Sequence, residues 1–236
     1  MLLNVDKSPG LSAASIAIRL QGWWRVLLIV FYQLLVPMMI LWYIVNKSQN
    51  RRGSVVFAYI AELAAGPIMY TILPACGPIY AFGAQWLDPP PVQAHVIRLS
   101  GMPNAFPSLH IGTALVLVLF AQGKLWRIVS LVFLAGTAMA TIATGEHYVI
   151  DLVPGLIFGC FAAYAGHLRF RSAVLYLGVV VSWSVAVRFD YVILIVHPFL
   201  LRSFAAITVA IAILAVFKEG GIPALRETRS AIAPLY

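Results

Sequence analysis

Of the 236 residues, 62% are hydrophobic and only 10% charged, against about 25% charged in an ordinary soluble domain, which excludes a water-soluble globular protein. The net charge of +8 comes from lysines and arginines set singly or in pairs between apolar runs, which excludes a nucleic-acid-binding stripe and suits topology determinants. Many of these runs approach the roughly 20 residues a helix needs to cross a bilayer, and together they predict one all-α polytopic membrane domain over residues 1–236.

The first residues, "MLLNVDKSPGLSAAS", lack the basic-then-apolar layout of a cleaved signal peptide, so insertion through the first span is expected. Residues 11–22, "LSAASIAIRLQG", mix small, apolar and basic side chains and read either as a helix lying on the membrane surface or as an extension of that span. The predicted spans are 23–46, 55–73, 109–122, 126–144, 149–168, 172–187 and 191–217, making six, or seven if every run crosses. The run 109–122 is short and draws on the "FPS" before it. The last run is broken by Pro198 and Arg202, giving a kinked helix or a short interfacial piece followed by a span. Glu62, inside the second run, is expected to face the bundle interior against an arginine.

Between the second and third runs lies 74–108, too rich in Pro and Gly for one helix. Tyr80, Phe82 and Trp86 make it an ordered interfacial loop. Lys47, Arg51, Arg52, Lys124, Arg127, Arg169 and Arg171 all fall on one side of the predicted spans, which the positive-inside rule makes cytoplasmic. Loop 74–108 and the turn 144–148 then share the other face, where Arg19 and Arg25 run against the rule. Cys76 and Cys160 lack CxxC spacing and read as small core residues with no disulfide or metal implied. His95, His167 and His197 have no partner at helical spacing and read as structural or interfacial.

Two polar motifs meet on that non-cytoplasmic face. In "TGEHYVIDL", residues 144–152, His147 and Asp151 are four apart, which predicts one helix face and a carboxylate fixing an imidazole's tautomer. A structural pair closing the helix end is the competing reading. In "FPSLH", residues 106–110, Ser108 is placed to cap a helix whose free amides attract anions, with His110 just inside it; alone, this motif reads as plain capping. Two histidines, a carboxylate and two helix N-termini on one face suit phosphoryl transfer, with one imidazole attacking phosphorus and the other protonating the leaving oxygen. A zinc site from His110, His147 and Asp151 is the weaker alternative, because zinc leaves the Pro-Ser helix start unexplained.

"FPSLH" resembles the second motif of the type 2 phosphatidic acid phosphatase superfamily, usually PSGH, and "GEHYVIDL" resembles its third. With Leu109 ahead of His110 and Tyr148 following His147, the pair is most similar to the branch of inositol phosphorylceramide synthases and related bacterial membrane proteins. The resemblance spans about residues 55–170 and implies a phosphatase-like helical core. It implies His147 as the nucleophile forming a phosphohistidine, Asp151 as the group that orients it, His110 as general acid and Ser108 as phosphate ligand, with no metal or other cofactor. It further implies a lipid phosphoester substrate, an alcohol or lipid acceptor, and an active site on the outer face of a bacterial inner membrane.

The chain departs from the phosphatases at their first motif, KxxxxxxRP, for which "YTILPACGPIY" at 70–80 offers no basic residue, and at the SR of the third, which falls on Ala140 and Thr141. A site short of three cations suits a monoanionic phosphodiester better than a dianionic monoester, and points to head-group transfer. Arg98 is a candidate replacement cation and Glu146 a candidate ligand for an acceptor hydroxyl; Glu146 also suits the helix dipole. A lipid phosphate or undecaprenyl pyrophosphate phosphatase is the alternative activity, and an inactive membrane scaffold or transporter the non-enzymatic one. The sequence leaves the oligomeric state open.

Overall fold

The computed structural model describes residues 2–7, 12–20, 22–47, 54–88 and 104–230, and among them the chain is helical without a strand. Two short helices, α1 (Leu2–Lys7) and α2 (Ala13–Arg19), precede α3 (Trp23–Gln33) and α4 (Leu35–Lys47). The helices α2 and α3 are long and apolar enough to cross a membrane only when taken together, as a pair bent between them. Helices α3 and α4 are separated at Leu34 alone, three residues ahead of Pro37, whose nitrogen has no hydrogen for the Gln33 carbonyl. The expected span 23–46 is therefore two helices in succession.

Next come α5 (Val55–Ile72), α6 (Pro78–Phe82) with a 3₁₀ turn at Gly83–Gln85, α7 (Leu109–Leu119), α8 (Gly123–Ala143), α9 (Val149–Gly166) and α10 (Phe170–Phe189). The chain finishes with α11 (Tyr191–Val196) and α12 (Pro198–Ser230), split at His197 where Pro198 opens the second helix. Of the described helices, α5, α8, α9, α10 and the segment 198–218 of α12 are long and apolar enough to cross a membrane. The protein is an all-α membrane bundle. Within it the run expected as the span 109–122 is corrected: α7 has 11 residues, about 16 Å of rise against a hydrocarbon core of about 30 Å. Its positions 111–119 are buried without exception, so it is the packed centre of the bundle.

Small residues set the tightest contact, between α7 and α9. A Cβ on Gly155 would lie 2.7 Å from the Ser108 carbonyl oxygen, and one on Gly159 would lie 2.6 Å from that of Gly112. Steps of four residues on both helices thus press backbone against backbone. At the far end of α7 the Leu117 carbonyl, left over by the helix, accepts from Trp42 Nε1 at 2.8 Å and Ser130 Oγ at 3.3 Å.

Two contacts define the ends of the bundle. Ser54 N–H donates to the Gly166 carbonyl, joining the start of α5 to the end of α9. At the other end Arg188, closing α10, donates to the Ile72 carbonyl that closes α5. That second end also holds the starts of α7 and α9 and the described residues between α5 and α7. Arg51, Arg52, His95 and Arg98 lie outside the described residues.

Glu62 is buried, as expected, but its partner is not an arginine. It accepts from Thr113 Oγ1 at 3.1 Å and lies against Gly112, whose missing side chain leaves it room. Cys76 and Cys160 are both buried and free. His167 stacks on Phe120 at 4.3 Å, and the His197 amide closes α11 on the Ile193 carbonyl.

Candidate active site

The turn between α8 and α9 is built on one carbonyl. The amides of Glu146 and His147 both donate to Thr141 O, at 3.0 and 3.2 Å, and Gly145 between the helices has φ +77°. A side chain at Gly145 would be strained at that φ and would also press on Trp86 and Ile79 of the α5–α7 connection. The connection is tied down here, since Ile79 N–H donates to the Gly145 carbonyl and Gly77 lies flat against the Glu146 backbone.

This turn leaves His147 one residue before Tyr148, the N-cap of α9, and not on the helix. The expected approach of His147 and Asp151 is found, within ion-pair distance, but His147 reaches it from the turn and not from the helix face, which corrects its helical placement alone. Nδ1 of His147 is 3.6 Å from Asp151 Oδ2, outside hydrogen-bond range, while it lies 2.8 Å from the Ala105 carbonyl. A carbonyl only accepts, so Nδ1 carries the proton and Nε2 the lone pair. Ala105 is itself fixed, its amide donating to Ala75 O at 2.9 Å. The tautomer that the sequence assigned to a carboxylate is set by a main-chain oxygen.

Asp151 has a different local task. Its Oδ2 accepts from the Tyr148 amide at 2.8 Å, capping its own helix, and its Oδ1 is buried without a hydrogen-bond partner. Its backbone carbonyl accepts from Ser108 N–H at 3.2 Å, which locks the start of α7 to the first turn of α9.

Ser108 is the N-cap of α7 as the sequence predicts, its hydroxyl accepting from Ile111 N–H at 3.5 Å. His110 follows in the first turn. Its Nδ1 lies 3.3 Å from Nε2 of His147, with the ring planes at 69°. The two imidazoles foreseen as partners thus meet at the nitrogen that carries the lone pair. Burial holds His147 down to about 4, outweighing the Ala105 carbonyl and the Glu146 carboxylate, which pull the other way. The ring is neutral around pH 7 and its Nε2 keeps a free lone pair.

Three contributors escaped the sequence reading. Tyr32 of α3 stacks on His110, ring centres 4.6 Å apart. Tyr80 of α6 donates to Glu146 Oε1 at 2.9 Å. Asp6 of α1, 1% exposed, accepts from Ala13 N–H at 2.7 Å and from Ile150 N–H at 3.1 Å, so it caps α2 and α9 together. Burial pushes its carboxyl up to about 7, against the pull of those two amides, and the neighbouring Asp151 adds to the rise. An isolated charge near a chain start reads as solvated, and a tyrosine in an apolar run reads as interfacial, so nothing in the sequence separates these three from their ordinary counterparts.

Asp6 also corrects the expectation that two helix N-termini face the phosphate. The amides opening α9 are taken by Asp151 and Asp6, which leaves them no hydrogen to offer an anion. Only α7 keeps its opening amides, those of Leu109 and His110, without an intrahelical acceptor. Among the described residues no three His, Cys, Asp or Glu side chains are grouped to share one metal ion.

A family model described as the PAP2 superfamily matches residues 2–165, from α1 to the end of α9. Neither a curated protein nor a solved structure matches the chain.

Proposed function

The chain belongs to the PAP2 superfamily, and from that premise we propose that it transfers the phosphoryl group of a lipid phosphoester through a phosphohistidine on His147. The superfamily supports a phosphatase or phosphotransferase activity in a membrane. The observation that carries the finer reading is the pairing of His147 with His110 at 3.3 Å, with Nδ1 of the first already spent on Ala105.

At 3.3 Å phosphorus has no room between the two nitrogens, so substrate entry turns His110 aside. Burial and His147 hold His110 down to about 3, so His110 takes up a proton from solvent only as the anionic phosphate binds beside it. Nε2 of His147 then attacks phosphorus, the bond from phosphorus to the ester oxygen breaks, and His110 gives that proton to the oxygen so that a neutral alcohol leaves. In the second half the acceptor hydroxyl attacks the phosphorus of the phosphohistidine, His110 takes the hydroxyl proton, and the electrons of the P–N bond return to Nε2. The amides of Leu109 and His110 and the Ser108 hydroxyl hold the phosphoryl oxygens. Asp151 acts at one remove, by capping α9 and locking Ser108 in place. The chemistry asks for no metal ion.

Head-group transfer from a phosphodiester to an alcohol, as in inositol phosphorylceramide synthases, fits better than hydrolysis of a phosphomonoester. The amides at the start of α9 are already taken and "YTILPACGPIY" brings no cation, so a monoanion is the easier charge to accommodate. Arg98, outside the described residues, is the candidate for a cation brought by the connecting segment. The active site belongs to the non-cytoplasmic face, in the inner membrane of a bacterium, because the basic loops lie at the other end of the bundle.

The test incubates purified protein in detergent with labelled lipid phosphodiesters and monoesters, with and without alcohol acceptors, in the presence and absence of a chelator. Wild type is compared with His147→Ala, and acid-quenched protein is assayed for bound label. Label passing to the alcohol, an acid-labile phosphoprotein, and a loss of at least about a thousandfold in His147→Ala are expected, the size seen when a nucleophile is removed. Free phosphate as the main product overturns the transferase reading. Activity surviving in His147→Ala overturns the nucleophile, and loss with the chelator overturns the metal-free scheme.

A further inference from the structure

Beside the two imidazoles the site is furnished for hydroxyls and not for anions. Glu146 is half-buried and immediately precedes the nucleophile, and its Oε1 accepts from Tyr80. No lysine or arginine among the described residues ion-pairs with it. The Tyr32 ring lies on His110, and its phenol is close enough to Glu146 and Tyr80 to interact electrostatically with both. A carboxylate accepts hydrogen bonds from alcohols, and phenols both donate and accept. The three groups come from separate parts of the chain, α3, α6 and the turn before α9, and flank the two imidazoles, Tyr32 on His110 and Glu146 next to His147 in the chain.

The cluster is also held rigidly. Ile79 N–H is bonded to the Gly145 carbonyl, and a Cβ at Gly77 would stand 2.0 Å from the Glu146 carbonyl oxygen. This leaves α6 no freedom to carry Tyr80 away from Glu146 without breaking the turn that holds His147.

We propose that Tyr32, Tyr80 and Glu146 form the subsite for the alcohol that leaves or enters at His110, selecting a neutral group that carries hydroxyls beyond the ester oxygen and rejecting one that carries a second phosphate. The proposal rests on the phosphohistidine reading above. Hydroxyls of the alcohol bond to Glu146 and Tyr80 while its ester oxygen faces His110. A second phosphate placed there meets the Glu146 carboxylate, which no lysine or arginine among the described residues pairs, and is repelled. Lipid diphosphates are therefore poor substrates despite having a better leaving group.

The experiment measures kcat/KM in detergent micelles for three probes of equal acyl length: a lipid phosphodiester with a glycerol head group, the same diester with a propyl head group, and a lipid diphosphate. Wild type should prefer glycerol over propyl by about tenfold or more, the worth of a hydrogen bond to a charged group. The diphosphate should be the slowest of the three. In Glu146→Gln and Tyr80→Phe the glycerol-to-propyl ratio should fall toward one, and in Glu146→Gln the diphosphate should gain relative to the diesters. Tyr80→Phe removes one oxygen without changing the ring, so it reports on the subsite even if Glu146→Gln does not fold.

A wild-type ratio near one, an unchanged ratio in Tyr80→Phe, or a diphosphate turned over as fast as the glycerol diester overturns the subsite. The acid-labile phosphoprotein is assayed in the same samples. If it forms on His147 and the ratios do not move, the subsite alone fails; if it never forms, the underlying reading has failed.

Discussion

Burial governs the charge on His147. An imidazole in water takes up its proton near pH 6.5, but this one is 3% exposed and its cation would lose its water. The Ala105 carbonyl and Glu146 favour the cation without overcoming that loss, and the value falls to about 4. A base whose value is lowered stays neutral further into acid. The expected consequence is that the acid limb of kcat/KM assigned to His147 has its midpoint near pH 4; a limb at the solution value that vanishes on changing Glu146 or Asp151 would mean the ring is solvated or carboxylate-paired. The same logic separates the two carboxyls of the motif. Glu146 presents its oxygens to phenols, whereas Asp151 gives one oxygen to the Tyr148 amide and keeps the other buried.

Helix packing carries the catalytic distance. Ser108 and Gly112 on α7 face Gly155 and Gly159 on α9, and the absence of side chains lets Ser108 N–H reach the Asp151 carbonyl. Gly159→Ala places a methyl group 2.6 Å from backbone, which cannot yield, so α7 must move outward. The expected cost is about 1–3 kcal/mol of stability, with a larger loss of activity because His110 rides on the displaced helix. Gly112→Ala is a useful contrast. Its new Cβ meets the end of the Glu62 side chain at 2.3 Å, a group that can swing away. Thermal unfolding in detergent together with turnover should rank Gly159→Ala as the more damaging in both; the reverse order would show that the α7–α9 contact does not set the site.

At the scale of the whole molecule, the site is assembled at one end of the bundle by segments far apart in sequence. Asp6, Tyr32, Tyr80, Ala105 with His110, and His147 come from five separate stretches between α1 and the start of α9. Lys124 and Arg169 lie at the opposite end. A single cysteine at Gln85, which is exposed beside the site, should react with a membrane-impermeant thiol reagent added outside intact cells, and one at Lys124 only after the membrane is opened. Cys76 and Cys160 are buried and give little background. Reversed labelling would place the site on the cytoplasmic face.

Composition and spacing alone determine that this is an all-α membrane protein and single out the two histidines that the fold brings together. Charged residues are too few for a soluble surface, and a Pro-Ser helix start and a His four before an Asp can be read without knowing what lies nearby in space. "FPSLH" and "GEHYVIDL" name both histidines, and Ser108 caps α7 as its position predicts. The tertiary structure decides what each polar group bonds to. Sequence spacing offers Asp151 to His147, but the positive-φ turn at Gly145 keeps His147 off the helix and brings it to the Ala105 carbonyl, 42 residues away along the chain. Likewise it is packing that hands the amides of α9 to Asp6 and the stacking face of His110 to Tyr32. Hydrogen-bond partners separated by tens of residues leave no periodicity in the sequence; they exist only once the helices have closed on their glycines.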